Sequence, residues 1–363
     1  MQKLNFKQIK FKAKVITPIH IWSGQVWDRL DYFIFEWWEE VQIVKRQWLN
    51  HCASEDPDLF QKILKSIEKG DFVELENLKR KYYDKYFDPD KFLIEEIPIS
   101  EEAMKHLTMQ DKNYSNFNKQ WFRWNLWEVK RFSFNKFWKL IIPWSTLKGF
   151  FRTMFLMDLV NQEWLKYNDI KNNVKKNNER FFDFFVFTWK WNFNALKDPL
   201  AWISLEDIEL NNSIKREIRL IKIRVTNKKT KKVSFIPVVC EMITEGEFDI
   251  ILDYSDLYQK NARNSFDLDN MKYILSDYSK EIKKREKINI ENVLRKGKFS
   301  YINFDFLDWD TDNSLVKIWQ FKREYTYKIY WNPKHKKLAH IDSFYIDESG
   351  NPVWWISLEI LNK

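Results

Sequence analysis

The sequence predicts an α+β fold, and three observations predict it. Apolar and polar residues partly alternate from Phe6 to Ile21, with Ile9, Phe11, Ala13 and Val15 on one face, and a last strand near Trp354–Ile360 closes the fold. Two other stretches carry apolar residues at helical spacing: Pro57 to about Tyr86, through Leu59, Ile63 and Ile67, and the run after Thr146, through Phe150, Phe151, Met154 and Phe155. Turn chemistry separates further strand-like segments, as at Thr226-Asn227-Lys228-Lys229-Thr230. With 363 residues and 44% hydrophobic composition, the chain can bury one elaborated core or two fused ones.

Taken in order, the first strand is followed by strands at Tyr32–Phe35 and Glu40–Val44, with Trp37 and Trp38 at a turn that would suit Gly-Gly. Residues from Pro57 to about Tyr86 form a charged helical insertion. Residues 105–135 show little periodicity and are read as a loop or partly ordered insertion. A strand ends at Pro143, Ser145 is placed as an N-cap, and a helix follows. Asn161–Arg180 is Lys- and Asn-rich, a solvated helix or loop. Strands return at Glu217–Val225 and Lys232–Met242, and Tyr254 to about Leu294 reads as helices, the second bearing Lys283, Lys284, Arg285 and Lys287.

Composition carries an anomaly. The chain has 19 Trp and 6 Gly, whereas an ordinary domain of this length has about 7% Gly, roughly 25 residues. Together the two counts match that figure, so many of these Trp are read as UGA codons that some bacterial lineages use for glycine. Local context agrees at Ile141-Ile142-Pro143-Trp144-Ser145-Thr146-Leu147-Lys148-Gly149, where the residue between proline and N-cap turns a corner that favours a residue without a Cβ.

With Gly at 144 the string resembles the I-P-G-S-S-L-K-G signature of the RAMP superfamily of CRISPR RNA-binding proteins. Thr17-Pro18-Ile19-His20-Ile21-Trp22-Ser23-Gly24 resembles the family's opening strand and turn, again with Trp where the family has Gly. Ile203–Asp207, Glu241–Ile250, Leu315–Trp319 and Pro352–Ile356 resemble downstream family segments, and their order points to the fifth subunit of the type III-A (Csm) effector complex. The resemblance implies a ferredoxin-like, RRM-like RAMP core with helical insertions. It divides the chain into core (1–50 and 136–253), helical and loop insertion (51–135), and a helical segment with C-terminal strands that complete the fold (254–363). It also implies a non-catalytic subunit that caps the filament, binds CRISPR guide RNA toward its 3′ end, contacts other type III-A effector subunits, and assists guide maturation by engaging host nucleases. The competing expectations are an endoribonuclease backbone subunit that uses His20 with Asp28 or Asp31, and a non-slicing RAMP subunit of a type III-B complex.

The expected RNA contacts lie in three places. At the start of the helix after Pro143, Ser145, Lys148, Gly149 and Arg152 combine free backbone N–H groups with two cations on one face. At the opening turn stand His20, Ser23 and Gly24. In the late segment, Lys317, Lys322 and Arg323 are interleaved with aromatics. A net charge of +9 fits a polyanionic partner. No P-loop, Rossmann glycine string or metal-ligand spacing is present, so no cofactor is expected. Cys52 and Cys240 are read as buried small hydrophobes. Neither a signal segment nor an apolar run of membrane-spanning length is found, and a cytoplasmic protein is expected.

Overall fold

The computed structural model describes residues 6–35, 39–108, 128–162, 199–226, 233–255, 268–294, 302, 305–308, 314–318 and 345–361. Strand β1 (Phe6–Val15) buries Ile9, Phe11, Ala13 and Val15 and exposes Lys10, Lys12 and Lys14, the period of two expected of a half-buried strand. It is the middle strand of a five-stranded antiparallel sheet. On one side it pairs with β12 (Glu247–Ser255), which in turn pairs with β8 (Ile203–Leu205). On the other side lies β15 (Trp355–Leu361), edged by β13 (Ser314–Lys317).

Two helices cover this sheet. In chain order, β1 leads to α6 (Trp144–Gln162), then β8 and β12, then α7 (Leu268–Leu294), then β15. Read across the sheet, β8-β12-β1-β15 with these crossovers is the β-α-β-β-α-β ferredoxin-like arrangement. Phe11 meets Phe151 at 5.4 Å, and Phe150 meets Tyr278 of α7 edge-on at 5.7 Å. Phe150, Phe151, Met154 and Phe155 are all buried there.

A second five-stranded sheet is the wall between two cores. It comprises β14 (Tyr345–Asp347), β10 (Lys215–Thr226), β11 (Val233–Glu245), β6 (Val129–Phe132) and β2 (Trp22–Trp27), in that order. Phe132, Ile221, Cys240 and Met242 face the ferredoxin-like core, whereas Val129, Ile218, Leu220 and Val239 face the helical lobe. That lobe holds a small sheet, β3 (Tyr32–Phe33), β4 (Glu40–Val44) and β5 (Leu93–Pro98), and helices α1 (Gln47–Glu55), α2 (Pro57–Lys69), α3 (Phe72–Tyr86), α4 (Pro89–Phe92) and α5 (Glu101–Leu107). A two-stranded pair, β7 (Ile141–Ile142) with β9 (Ile208–Glu209), completes the strands.

Several sequence-based expectations need correction. The helical insertion is broken in two: Gly70 ends α2 in the left-handed region at φ 64°, and the Asp71 carboxylate accepts the Glu74 N–H to cap α3. Val129–Phe132, assigned to a loop, is an inner strand that runs parallel to β11. Residues 22–27, read only as a turn, form β2. Tyr254 and Ser255 finish β12, and one helix, Leu268–Leu294, follows among the described residues. The Trp37-Trp38 turn, the 227–230 hairpin tip and most of 161–180 lie outside the described residues. No helix among the described residues is long and apolar enough to cross a membrane.

Candidate nucleic-acid interface

The start of α6 is built by three segments. β7 pairs with β9, with Ile142 opposite Ile208, which brings Asp207 beside Trp144. The Trp144 N–H donates to Asp207 Oδ1 at 2.7 Å, and the Thr146 and Leu147 N–H groups reach the Pro143 carbonyl at 2.9 and 3.3 Å. The helix thus begins at Trp144, one residue before the expected cap at Ser145, and a carboxylate from a distant strand end takes the capping role. That charge sits where the helix dipole is positive.

Lys148 and Arg152 lie one turn apart on α6, both half-buried. The Lys148 ammonium donates to the Ile203 carbonyl at 3.3 Å and lies 5.7 Å from the Trp144 ring centre. Nothing lies within 4 Å of where a Cβ on Gly149 would stand, so packing does not demand glycine there. Ser145 and Trp144 are exposed.

At the opening turn the three expected residues separate. His20 is buried; its Nδ1 lies 2.8 Å from the Glu241 carbonyl oxygen, and its ring stands edge-on to Phe132. Burial pushes its pKa down to about 4, so the imidazole is neutral at pH 7 and does not present itself to RNA. The RNA contact expected of His20 is therefore corrected to a structural role. Ser23 Oγ donates to the Arg131 carbonyl at 3.3 Å, and Gly24, exposed at φ 87°, has open space around it. Trp22 is exposed, with the Lys130 ammonium 4.7 Å from its ring centre. Neither Trp22 nor Trp144, the two positions expected to suit glycine, adopts a positive φ.

The nuclease alternative finds its carboxylates occupied. Arg46 Nε meets Asp31 Oδ1 and Arg46 Nη2 meets Asp28 Oδ2, each at 2.5 Å, and the two acids also accept backbone N–H groups of the turn. These contacts hold the guanidinium pKa above its ordinary value, with the Asp31 hydrogen bond the leading cause. One arginine bridging two acids is a turn clamp.

The late segment is corrected as well. Lys317 is buried in β13, its ammonium 2.5 Å from Glu286 Oε1 on α7, and both side chains are 3% exposed. It is a core ion pair and cannot meet a phosphate. Lys322 and Arg323 lie outside the described residues. Nor is the open face of the ferredoxin-like sheet a stacking platform at its centre: Lys12 pairs with Glu247 at 2.8 Å, and Lys12 stands opposite Asp249 in the register.

The motif residues instead meet one another. The Thr17 Oγ1 accepts the Trp355 N–H at 3.0 Å, and Trp354 donates its backbone N–H to the Pro18 carbonyl and its indole N–H to the His20 carbonyl. Glu241 is buried, where its carboxylate accepts the Phe132 N–H at 2.9 Å and pairs with Arg216 at 3.0 Å. Burial raises its pKa. Gly246 is required by its φ of 141°, and a Cβ there would also crowd Ile214, 3.2 Å from its Cα.

Sequence reasoning missed the surroundings of Arg131, whose guanidinium lies 4.7, 4.1 and 5.1 Å from the ring centres of Trp27, Phe134 and Trp138. It lines a cavity of about 490 Å³ with Lys45, Arg46, Arg216, Glu95 and Glu241. No spacing in the sequence signals this, because Trp27 comes from β2, about a hundred residues away from the turn after β6 that carries Phe134 and Trp138.

Neither a protein-family model nor a curated protein matches the chain in sequence. Solved structures do match in fold. A chain of a Csm–crRNA–target RNA ternary complex from a type III-A CRISPR-Cas system aligns with a TM-score of 0.61 at 15% identity, covering 97% of this chain and 100% of that one. Csm5 of T. onnurineus aligns with a TM-score of 0.63 at 14% identity, covering 95% and 99%.

Proposed function

We propose, from that shared fold, that this chain is a non-catalytic RNA-binding subunit of a type III-A CRISPR effector complex. It caps the backbone filament, binds guide RNA toward its 3′ end, and takes part in guide maturation and antiviral defence alongside the other effector subunits and host nucleases. The observation that carries this reading is the end-to-end fold match to Csm5 and to a chain of a Csm–crRNA–target RNA complex. The clamped state of Asp28 and Asp31 and the burial of His20 support a non-catalytic role. The half-buried Lys148 and Arg152 at the start of α6, beside the exposed Trp144 and Ser145, supply the contact surface.

The test is the salt dependence of guide binding by the assembled complex. If Lys148 and Arg152 each neutralise one phosphate, then Lys148→Ala with Arg152→Ala lowers the slope of log affinity against log salt by about 1.4, at about 0.7 per contact on a single strand. An unchanged slope removes both residues from the interface.

A further inference from the structure

Among the described residues two non-glycine positions have φ in the left-handed region, and both are tryptophan: Trp138 at 65° and Trp354 at 74°. Their values fall among those of Gly70 at 64° and Gly350 at 82°. A Cβ in this region crowds the neighbouring carbonyl, and for a bulky side chain the conformation is an outlier, whereas glycine adopts it without penalty. We infer that 138 and 354 are glycine positions, occupied in the native protein by glycine read from UGA.

The turn at 138 makes the case without help from the indole. The Trp138 N–H donates to the Asn135 carbonyl at 3.0 Å, the Asn135 N–H to the Lys139 carbonyl at 2.9 Å, and the Asn135 side-chain oxygen accepts the Phe137 and Lys139 N–H groups. Every one of these bonds is made by backbone or by Asn135. The indole itself is 70% exposed and lies flat on Phe134, ring centres 5.0 Å apart. The ring touches Phe134 and the Arg131 guanidinium, but none of the hydrogen bonds that shape the turn uses it.

Position 354 is fixed from both sides: its N–H donates to the Pro18 carbonyl and its carbonyl accepts the Ile318 N–H, each at 2.9 Å. The backbone therefore cannot relax its φ without releasing two segments, and these two bonds hold it whether or not the buried indole, which donates to the His20 carbonyl, is present. Trp355, next to it, differs in kind. It is fully buried, packs edge-on to Phe306 at 5.7 Å, and is not among the positive-φ residues. The proposal makes 355 a true tryptophan beside a glycine.

Two measurements decide it. In thermal unfolding of the full chain, Trp138→Gly raises Tm by a few degrees, whereas Trp138→Ala, which sheds the indole but keeps the Cβ, gives no such rise. An equal gain from alanine, or no gain from glycine, overturns the backbone argument at 138. Peptide mass analysis of the protein from its native source then reads glycine at 138 and 354 and tryptophan at 355. Tryptophan at 138 and 354 overturns the inference outright, and neither result depends on RNA binding.

Discussion

His20 sets a pH dependence that can be stated with its sign. Its pKa in the folded state is about 4 because burial disfavours the imidazolium, against about 6.5 in an unfolded chain. Between those values the unfolded state binds more protons, so stability rises with pH across the window and is lost as pH falls from about 6.5 to about 4. The full difference is about 3 kcal/mol. Urea midpoints measured across this window should fall on acidification for the native chain and fall less for His20→Gln. Equal slopes in the two proteins would remove His20 as the cause. At this scale the sequence revealed which residues belong to motifs but not which way they face. Lys317 reads as a basic residue among aromatics, yet its partner Glu286 lies on another element. The Lys79 ammonium, fully buried and bonded to the Arg29 carbonyl at 2.7 Å and to Glu76 at 3.0 Å, had no signal at all. In the sequence it is one more charge on a helix.

For α6, the telling contact is the carboxylate at its first turn. Asp207 caps the helix through the Trp144 N–H, so it stabilises the protein where an approaching phosphate would be repelled. Asp207→Asn keeps the shape and removes the charge. It should cost roughly 0.3–1 kcal/mol in stability and tighten guide RNA binding, both read from thermal melts and binding titrations on the same preparation. Unchanged affinity would show that no phosphate approaches this end of the helix. The helical insertion was legible from Leu59, Ile63 and Ile67, though the Gly70-Asp71 break that closes α2 and caps α3 went unread inside it. β6 was not, because its two buried residues, Val129 and Phe132, flank the half-buried Lys130 and Arg131 and break any period of two. Its place in the sheet is set instead by Glu241, which accepts the Phe132 N–H from across the pairing with β11.

Periodicity predicted mixed helices and strands for the whole molecule, but the ferredoxin-like order came only from the resemblance, because the strands that pair are far apart in the chain. β1 has β12 on one side and β15 on the other, with Val15 opposite Ile356 and Lys10 opposite Leu361. Deleting 355–361 should therefore leave no folded ferredoxin-like core, since it strips the buried Trp355, Ile356 and Leu358 from the central strand. Loss of the cooperative thermal transition is the expected result, and a truncated chain that still melts cooperatively would contradict it.

The same pairing sets a schedule for synthesis. At about 5–20 residues per second, a ribosome needs on the order of tens of seconds after finishing β1 before β15 is made. Throughout that interval one edge of β1, with its apolar inner face, has no partner strand. An open edge of this kind invites pairing with other chains, and closing so long a loop slows folding further. The nascent chain is thus exposed to misassociation until β15 has emerged, and conditions that slow translation or crowd ribosomes should lower its soluble yield before they alter anything in the finished fold.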